Sequence, residues 1–261
     1  MDILILVIFI FITLVLLTSA KKTSTTPRSR SLYDLLSKQN DIFHEEIYSS
    51  ICDLLELRNE AGQYRLLDLG CGNARYLAPC LKLSPPTLYE VVDLSDEALA
   101  EACKNLAGLT GRITLTPGDL LDIIESTDNA WDVIISGFAV HHLIPEEKAR
   151  FFRAAGRCLS ENGWLILVDV VREESQSREK FLEGYLKFIH ENRIIVPTDQ
   201  LEQAYIYTHP ESFSTLREMA NAAGLTASHL ISRYGQYSTL LFSRSDVLEI
   251  SNSPCSSTVS K

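Results

Sequence analysis

The chain has 261 residues, 46% hydrophobic and 22% charged, which is enough for one globular domain with a full core. Its formal net charge is -10 at pH 7, with 24 Lys and Arg against 34 Asp and Glu. Such a surface repels phosphate backbones, so the charge argues against a nucleic-acid partner and favours a small or neutral substrate.

The N-terminal segment MDILILVIFIFITLVLLTSA carries no charge from Ile3 to Ala20. At about 1.5 Å per helical residue it spans roughly 27 Å, close to the ~30 Å of a bilayer core. We therefore predict a transmembrane anchor over residues 1–20, with a cleaved signal peptide as the alternative. Basic residues follow the span, which predicts a single-pass membrane protein with its catalytic domain in the cytoplasm.

Polar Ser/Thr-rich sequence over residues 21–32 predicts a flexible linker. A folded domain is predicted over residues 33–244, followed by a disordered tail over residues 245–261. The domain begins with an amphipathic helix between Tyr33 and Leu57, because apolar residues recur there at helical spacing. Those apolar residues are Phe43, Ile47, Ile51, Leu54 and Leu55.

Strand-like runs then alternate with helix-like stretches. The runs are RLLDL, LYEVVD, RITLT, WDVIIS and WLILVDVV, beginning at residues 65, 88, 112, 131 and 164. Near-continuous apolar strands separated by helices predict an α/β fold with a doubly wound, mostly parallel sheet covered on both faces. Two later runs joined at Tyr234 and Gly235 predict a C-terminal antiparallel hairpin, for seven strands in all.

The six cysteines predict reduced thiols and no metal site. They mostly lie inside apolar helix or strand patterns, and no CxxC pair or short disulfide-scaffold spacing occurs. The cysteines are Cys52, Cys71, Cys80, Cys103, Cys158 and Cys255.

The stretch LLDLGCGNARYL, residues 66–77, predicts a ligand-binding loop after the first strand. Gly70 and Gly72 let the main chain turn sharply and approach a bound group, and the following helix offers N–H donors. By itself this loop fits nicotinamide and flavin dinucleotides, nucleotide sugars and adenosyl cofactors.

Two acids narrow the choice of ligand. Asp68, two residues before Gly70, would repel a pyrophosphate but attract an ammonium group. Asp93 ends the second strand, 21 residues beyond Gly72, where a carboxylate can accept hydrogen bonds from ribose hydroxyls. The alternative role for Asp93 is to cap the next helix. Together the acids favour a cationic, ribose-bearing ligand.

Five motifs in series resemble the class I S-adenosylmethionine-dependent methyltransferase family. They are DLGCGNARYL, VVDLSDEALAEA, TPGDLLDI, WDVIISGFAVHHL and LSENGWLILVDVV, and the resemblance runs from about Tyr33 to Arg244. It implies a Rossmann-like methyltransferase fold with S-adenosyl-L-methionine as cofactor. Ala74 departs from the family, since many members have a third glycine there.

The resemblance also implies the cofactor contacts. Asp68, Gly70 and Gly72 would lie under the methionine part of the cofactor. Asp93 would bind its ribose, and Leu94 would pack on its adenine.

Further contacts implied by the resemblance lie after the third and fourth strands. Asp119 and Leu120 would meet the edge of the adenine. Ser136 and Gly137 would line the passage to the methyl acceptor. Tyr33 would close over the cofactor from the lead helix.

His141 and His142, just after the fourth strand, are candidate catalytic bases, because a protonated acceptor needs a base when the methyl group is transferred. The alternative is that they help close a loop. The insert after the fifth strand would build the acceptor pocket, and its candidate residues are Tyr185, His190, Tyr205, Tyr207 and His209.

The acceptor class stays open at this point. A small molecule, or an apolar acceptor such as a lipid or quinone next to a membrane, fits the acidic chain and the predicted anchor. GCGNARYL and AVHHL also resemble transfer-RNA wobble-uridine methyltransferases, which the charge disfavours. The remaining alternatives are a dehydrogenase and a non-catalytic interaction module with the same fold.

Overall fold

The computed structural model describes residues 43–191 and 206–245. Helices and strands alternate through most of this length, as the apolar periods predict. In chain order they are α1 His44–Glu60, β1 Arg65–Leu69, α2 Leu77–Leu83, β2 Leu88–Asp93, α3 Asp96–Asn105, β3 Arg112–Pro117, α4 Leu120–Ser126, β4 Trp131–Gly137, a 3-10 turn Val140–His142, α5 Pro145–Cys158, β5 Leu159–Arg172, α6 Arg178–Glu191, β6 Glu211–Ser212, α7 Phe213–Ala222, β7 Ala227–Tyr234 and β8 Tyr237–Ser243.

The sheet has the strand order β3-β2-β1-β4-β5-β8-β7, with β6 paired to β5 outside that path. Neighbours are parallel except for β8, which runs antiparallel to both β5 and β7. The doubly wound sheet and the C-terminal hairpin are therefore confirmed. The predicted count of seven strands is wrong by one, because β6 is a two-residue strand too short to show a period in the sequence.

The core forms two hydrophobic layers, one on each face of the sheet. Alternation along β1 shows how the sequence divides between them. Leu66 belongs to the layer that includes α1, whereas Leu67 and Leu69 belong to the layer that includes α5. Successive strand residues point to opposite faces, so a strand buried on both sides needs the continuous apolar run seen in the sequence.

A disulfide between Cys52 of α1 and Cys80 of α2 corrects the prediction of reduced thiols for this pair. The two Cα atoms lie 4.7 Å apart across the packed helices. Sequence spacing gave no sign of the bond, because 28 residues and a whole strand separate the two cysteines. Cys71, Cys103 and Cys158 are free thiols, and Cys255 lies outside the described residues.

The membrane prediction also requires correction. Within residues 43–191 and 206–245 no helix combines the length and apolar character needed to cross a bilayer. The longer helices there, such as the 17-residue α1, carry charged residues on one face. The predicted single-pass localisation is therefore wrong for this part of the chain. The predicted anchor (residues 1–20), the linker (21–32) and most of the tail lie outside the described residues.

Candidate active site

A cleft opens at the carboxyl ends of the parallel strands, where loops after β1, β2, β3 and β4 meet. The chain lays β2 and β3 on one side of β1 and then returns to place β4 on the other. Open α/β sheets bind ligands at such a reversal, because the two neighbouring loops diverge there and leave a crevice.

The glycine loop, residues 70–74, forms the floor of this cleft and needs its small residues. Gly70 has φ +77°, and a Cβ there would lie 2.6 Å from the Cβ of Ala139. Gly72 has φ +56° with open space around it. Ala74 also adopts a left-handed φ of 52°, which explains the preference for glycine at that position. Conformation therefore restricts all three residues, and a close neighbour restricts Gly70 as well.

Asp93 ties the glycine loop to the start of α3. One carboxylate oxygen accepts a hydrogen bond from the Gly72 N–H at 2.8 Å, and the other accepts from the Ser95 N–H at 2.9 Å. The N-cap of α3 is Ser95, whose hydroxyl accepts from the Ala98 N–H. Asp93 therefore lies on the cleft wall, and the alternative of helix capping belongs to Ser95 instead.

Asp68 lines the cleft beneath the loop and is almost completely buried, with 4% of its surface exposed. The Tyr89 hydroxyl donates a hydrogen bond to its carboxylate at 2.7 Å. Burial raises the pKa of Asp68 to about 7, and the charge of Asp93 adds to this while the Tyr89 hydrogen bond opposes it. Asp68 is consequently a carboxyl group that ionises near neutral pH.

The remaining predicted cofactor residues divide between the cleft and the scaffold. Leu94, 58% exposed, and Leu120 line the cleft. Asp119 instead caps α4 by accepting from the Leu121 N–H at 2.8 Å. Ser136 is buried and donates to the Leu69 carbonyl at 2.7 Å, so it joins β4 to β1 rather than facing the cleft. Tyr33 lies outside the described residues.

The two histidines occupy different positions. His142 lines the cleft, and its Nδ1 lies 3.2 Å from the Tyr207 carbonyl. A carbonyl oxygen can only accept, so Nδ1 carries the hydrogen and Nε2 of the neutral ring carries the lone pair. His141 is not among the cleft-lining residues. Its Nδ1 and its backbone N–H both contact the buried Asp169 carboxylate.

Sequence reasoning missed three residues that shape this region. Tyr48 of α1 lines the cleft, and its hydroxyl would lie 3.2 Å from a Cβ placed on Gly137. Phe138 lines the cleft with φ 55°, a strained conformation for a bulky residue. Asp169 lies in the apolar run of β5, where a lone acid is a signal of a buried partner. The sequence gives little indication that Tyr48 lines the cleft, apart from its position next to Ile47 in the predicted amphipathic helix.

Comparison with known proteins identifies methyltransferases as similar in sequence. Residues 67–165 match the family model described as a methyltransferase domain. A curated relative described as an uncharacterized methyltransferase, from Staphylococcus carnosus (strain TM300), is 25% identical over 193 residues, which cover 74% of this chain and 85% of the relative.

Solved structures show the same fold. A putative O-methyltransferase from Nostoc punctiforme PCC 73102 superposes with a TM-score of 0.62 at 17% identity, covering 92% of this chain and 69% of the other. Magnesium protoporphyrin IX methyltransferase from Synechocystis PCC 6803, solved with bound SAH, gives 0.58 at 14% identity, with coverages of 85% and 90%. Some enzymes of this fold are longer, and the chain spans 58% of the mitomycin 7-O-methyltransferase.

Proposed function

We propose that this chain, which is a class I S-adenosylmethionine-dependent methyltransferase, methylates an oxygen atom of a small, largely apolar organic acceptor. The enzyme class and the cofactor rest on the fold, the match over residues 67–165 and the methyltransferase relative. The acceptor class and the roles of individual residues are the proposal. A cleft-facing histidine whose Nδ1 lies 3.2 Å from the Tyr207 carbonyl is the observation that carries it.

The cleft has the chemistry that S-adenosylmethionine requires. The buried Asp68 would face the ammonium group of the methionine part. Gly70 has no side chain, so the cofactor could approach the backbone of the glycine loop closely. Asp93 would exchange its contact with the Gly72 N–H for ribose hydroxyls. Leu94 and Leu120 offer apolar walls for the adenine. When bound, the cofactor supplies a methyl group on a positively charged sulfur, which is already electrophilic.

The residues near β4 suit a hydroxyl acceptor. Such an acceptor must lose its proton as the oxygen–methyl bond forms, and Nε2 of His142 is the nitrogen that can take it. Tyr48, Ile135 and Phe138 give this end of the cleft an apolar and partly aromatic lining. The chain itself thus orients the acceptor, excludes water and receives the proton.

The charge around the cleft favours a neutral acceptor. Among the described residues that line it there is no Lys or Arg, whereas Asp68 and Asp93 are both present. An RNA substrate would need basic groups for its phosphates, so the transfer-RNA alternative has no support here. Two proteins with this fold, the putative O-methyltransferase and the mitomycin 7-O-methyltransferase, are named for methylation at oxygen, which agrees with the proposal.

A panel of small acceptors tests the proposal. The full chain is incubated with labelled S-adenosylmethionine and matched sets of phenols, aromatic amines and thiols, and methylated products are identified by mass spectrometry. We expect the phenols to react best and His142→Asn to lower turnover by about 100-fold, within the usual range for loss of a general base, without weakening cofactor binding.

The matched control is His229→Asn, which changes a histidine on β7 outside the cleft. It should leave turnover unchanged. Preferential methylation of amines or thiols would refute oxygen as the acceptor atom. Equal turnover by His142→Asn and the unaltered chain would refute the role of the histidine.

A further inference from the structure

A short segment, helical at its first two residues and irregular after them, lies against the turn that carries the two histidines. We call residues 206–210 the carbonyl strap, because each of its five backbone carbonyls accepts a hydrogen bond from a side chain of the domain body. The donors are Arg178 for Ile206 and Thr208, His142 for Tyr207, Lys148 for His209 and Arg172 for Pro210. Four different side chains therefore hold a segment with no regular strand pairing of its own.

The strap also contacts the turn through its backbone. The His209 N–H donates to the His141 carbonyl at 2.7 Å. Two residues earlier, the Tyr207 carbonyl faces Nδ1 of His142. The strap therefore meets both histidines, and its contact with His142 determines which ring nitrogen carries the hydrogen.

Lys148 lies at the centre of this arrangement. Its side chain is buried, with 1% of the residue exposed, although it lies on α5 and carries an ammonium group. Nζ donates to the Leu143 carbonyl at 2.7 Å and to the His209 carbonyl, and lies 3.7 Å from a Glu211 carboxylate oxygen. Leu143 directly follows the turn Val140–His142, so one ammonium joins the end of the turn to the strap.

Retaining a charge at this depth is energetically unfavourable. Desolvation lowers the pKa of Lys148 to about 8, although the carboxylates of Glu211 and Asp169 oppose that effect. An apolar side chain would avoid that desolvation cost, but it would leave the Leu143 and His209 carbonyls and the Glu211 carboxylate without the ammonium. The contacts of the ammonium thus join the end of the histidine turn, at the Leu143 carbonyl, to the strap, at the His209 carbonyl.

We propose that Lys148 is a positioning residue for methyl transfer: by joining the Leu143 and His209 carbonyls it keeps the carbonyl strap against the histidine turn, so that Tyr207 fixes the His142 tautomer with its lone pair on Nε2. The inference rests on the proposed function, because it assigns Lys148 to the setting of the base that the proposed reaction uses. Its spectroscopic consequence can be measured without any acceptor.

The test compares three variants of the full chain labelled with 15N, at a pH where imidazole is neutral. Lys148→Met removes the ammonium, and Arg178→Gln releases the carbonyls on either side of Tyr207. Arg150→Gln is the matched control, since Arg150 lies on the same helix and pairs with Glu125 at the surface. Long-range imidazole spectra, assigned with His142→Asn, report which ring nitrogen of His142 is protonated.

We expect the unaltered chain and Arg150→Gln to show His142 protonated at Nδ1, and both strap variants to gain the Nε2-protonated form. With the phenol that reacts best in the panel, kcat of the strap variants should fall by about 10- to 100-fold, as misplaced catalytic groups typically cause, with the KM for the cofactor within about twofold. Should Lys148→Met fail to fold, Arg178→Gln decides the question.

An unchanged His142 tautomer in the folded strap variants would overturn the inference. The outcomes also separate it from the proposed function. If His142→Asn abolishes turnover while the tautomer does not respond to the strap variants, the inference alone fails. If His142→Asn retains full turnover, the role of His142 as base fails, and with it the catalytic meaning of Lys148.

Discussion

Replacing Asp68 with Asn should stabilise the protein without ligand while weakening its cofactor binding. The substitution preserves the size of the side chain and leaves an oxygen to accept the Tyr89 hydroxyl, which lies 2.7 Å from the carboxylate. It removes only a charge that the fold buries. A buried charge that lowers the stability of the ligand-free protein but binds the cofactor should, when removed, raise stability and lower cofactor affinity.

The magnitude follows from the pKa of Asp68, which burial raises from 3.8 to about 7. Because the folded pKa lies above the unfolded one, ionisation opposes folding, and stability is lost as pH rises from about 4 to about 7. Linkage gives a cost of roughly 2 kcal/mol at pH 5 and roughly 4 kcal/mol at pH 8. The Asp68→Asn variant has no carboxyl group to ionise at this position, so it pays neither the cost at pH 5 nor the cost at pH 8.

Urea unfolding of the ligand-free full chain at pH 5 and pH 8 measures the effect. The difference in unfolding free energy, variant minus unaltered chain, should grow by roughly 2 to 3 kcal/mol between the two pH values. Calorimetry at pH 8 should show S-adenosylhomocysteine binding about 10- to 100-fold more weakly to the variant, the loss expected for a charge-assisted contact. A pH-independent stability difference would show that the Asp68 carboxyl ionises at an ordinary pKa, and unchanged affinity would show that Asp68 does not bind the cofactor.

Three further substitutions test the ribose contact, the backbone strain in the glycine loop and the disulfide. Asp93→Ala should weaken S-adenosylhomocysteine binding by roughly 1 to 3 kcal/mol in calorimetry, through lost hydrogen bonds to a charged group; unchanged affinity would contradict the ribose assignment. Ala74→Gly should raise the free energy of unfolding by about 1 kcal/mol, since Ala74 has a φ of 52°; a loss of stability would show that its methyl packing outweighs the strain. Without reductant, Cys52→Ser should lower the free energy of unfolding by about 3 to 4 kcal/mol, because the Cys52–Cys80 bond restricts the unfolded chain. That difference should vanish in excess dithiothreitol. The control Cys103→Ser should match the unaltered chain with and without reductant.

Features encoded by neighbouring residues could be predicted from the sequence. The sheet follows from apolar runs, and the hairpin follows from the turn at Tyr234 and Gly235, where β7 ends at Tyr234 and the chain reverses into β8. The glycine loop could also be predicted from local sequence, because a positive φ favours glycine at each position independently of distant residues. These signals need no knowledge of what lies across the fold.

Features that depend on distant contacts could not be predicted. Ser136 fits the cleft by position in the chain, yet its hydroxyl meets the Leu69 carbonyl of the adjacent strand. Lys148 has the sequence pattern of a solvated helix residue, yet it is buried against the strap, and its ammonium contacts the His209 carbonyl and the Glu211 carboxylate. The Cys52–Cys80 disulfide depends on the packing of α1 against α2. In each case the decisive partner is remote in sequence.

The acids and the glycine loop should select a cationic sulfur nucleoside over a phosphorylated dinucleotide. Parallel calorimetric titrations of the full chain with S-adenosylmethionine and with NADH test it most directly. Saturable binding of S-adenosylmethionine at one site, with no measurable heat from NADH, is the predicted result. Tighter binding of NADH, or no binding of S-adenosylmethionine to the folded chain, would rule out a cleft built for S-adenosylmethionine.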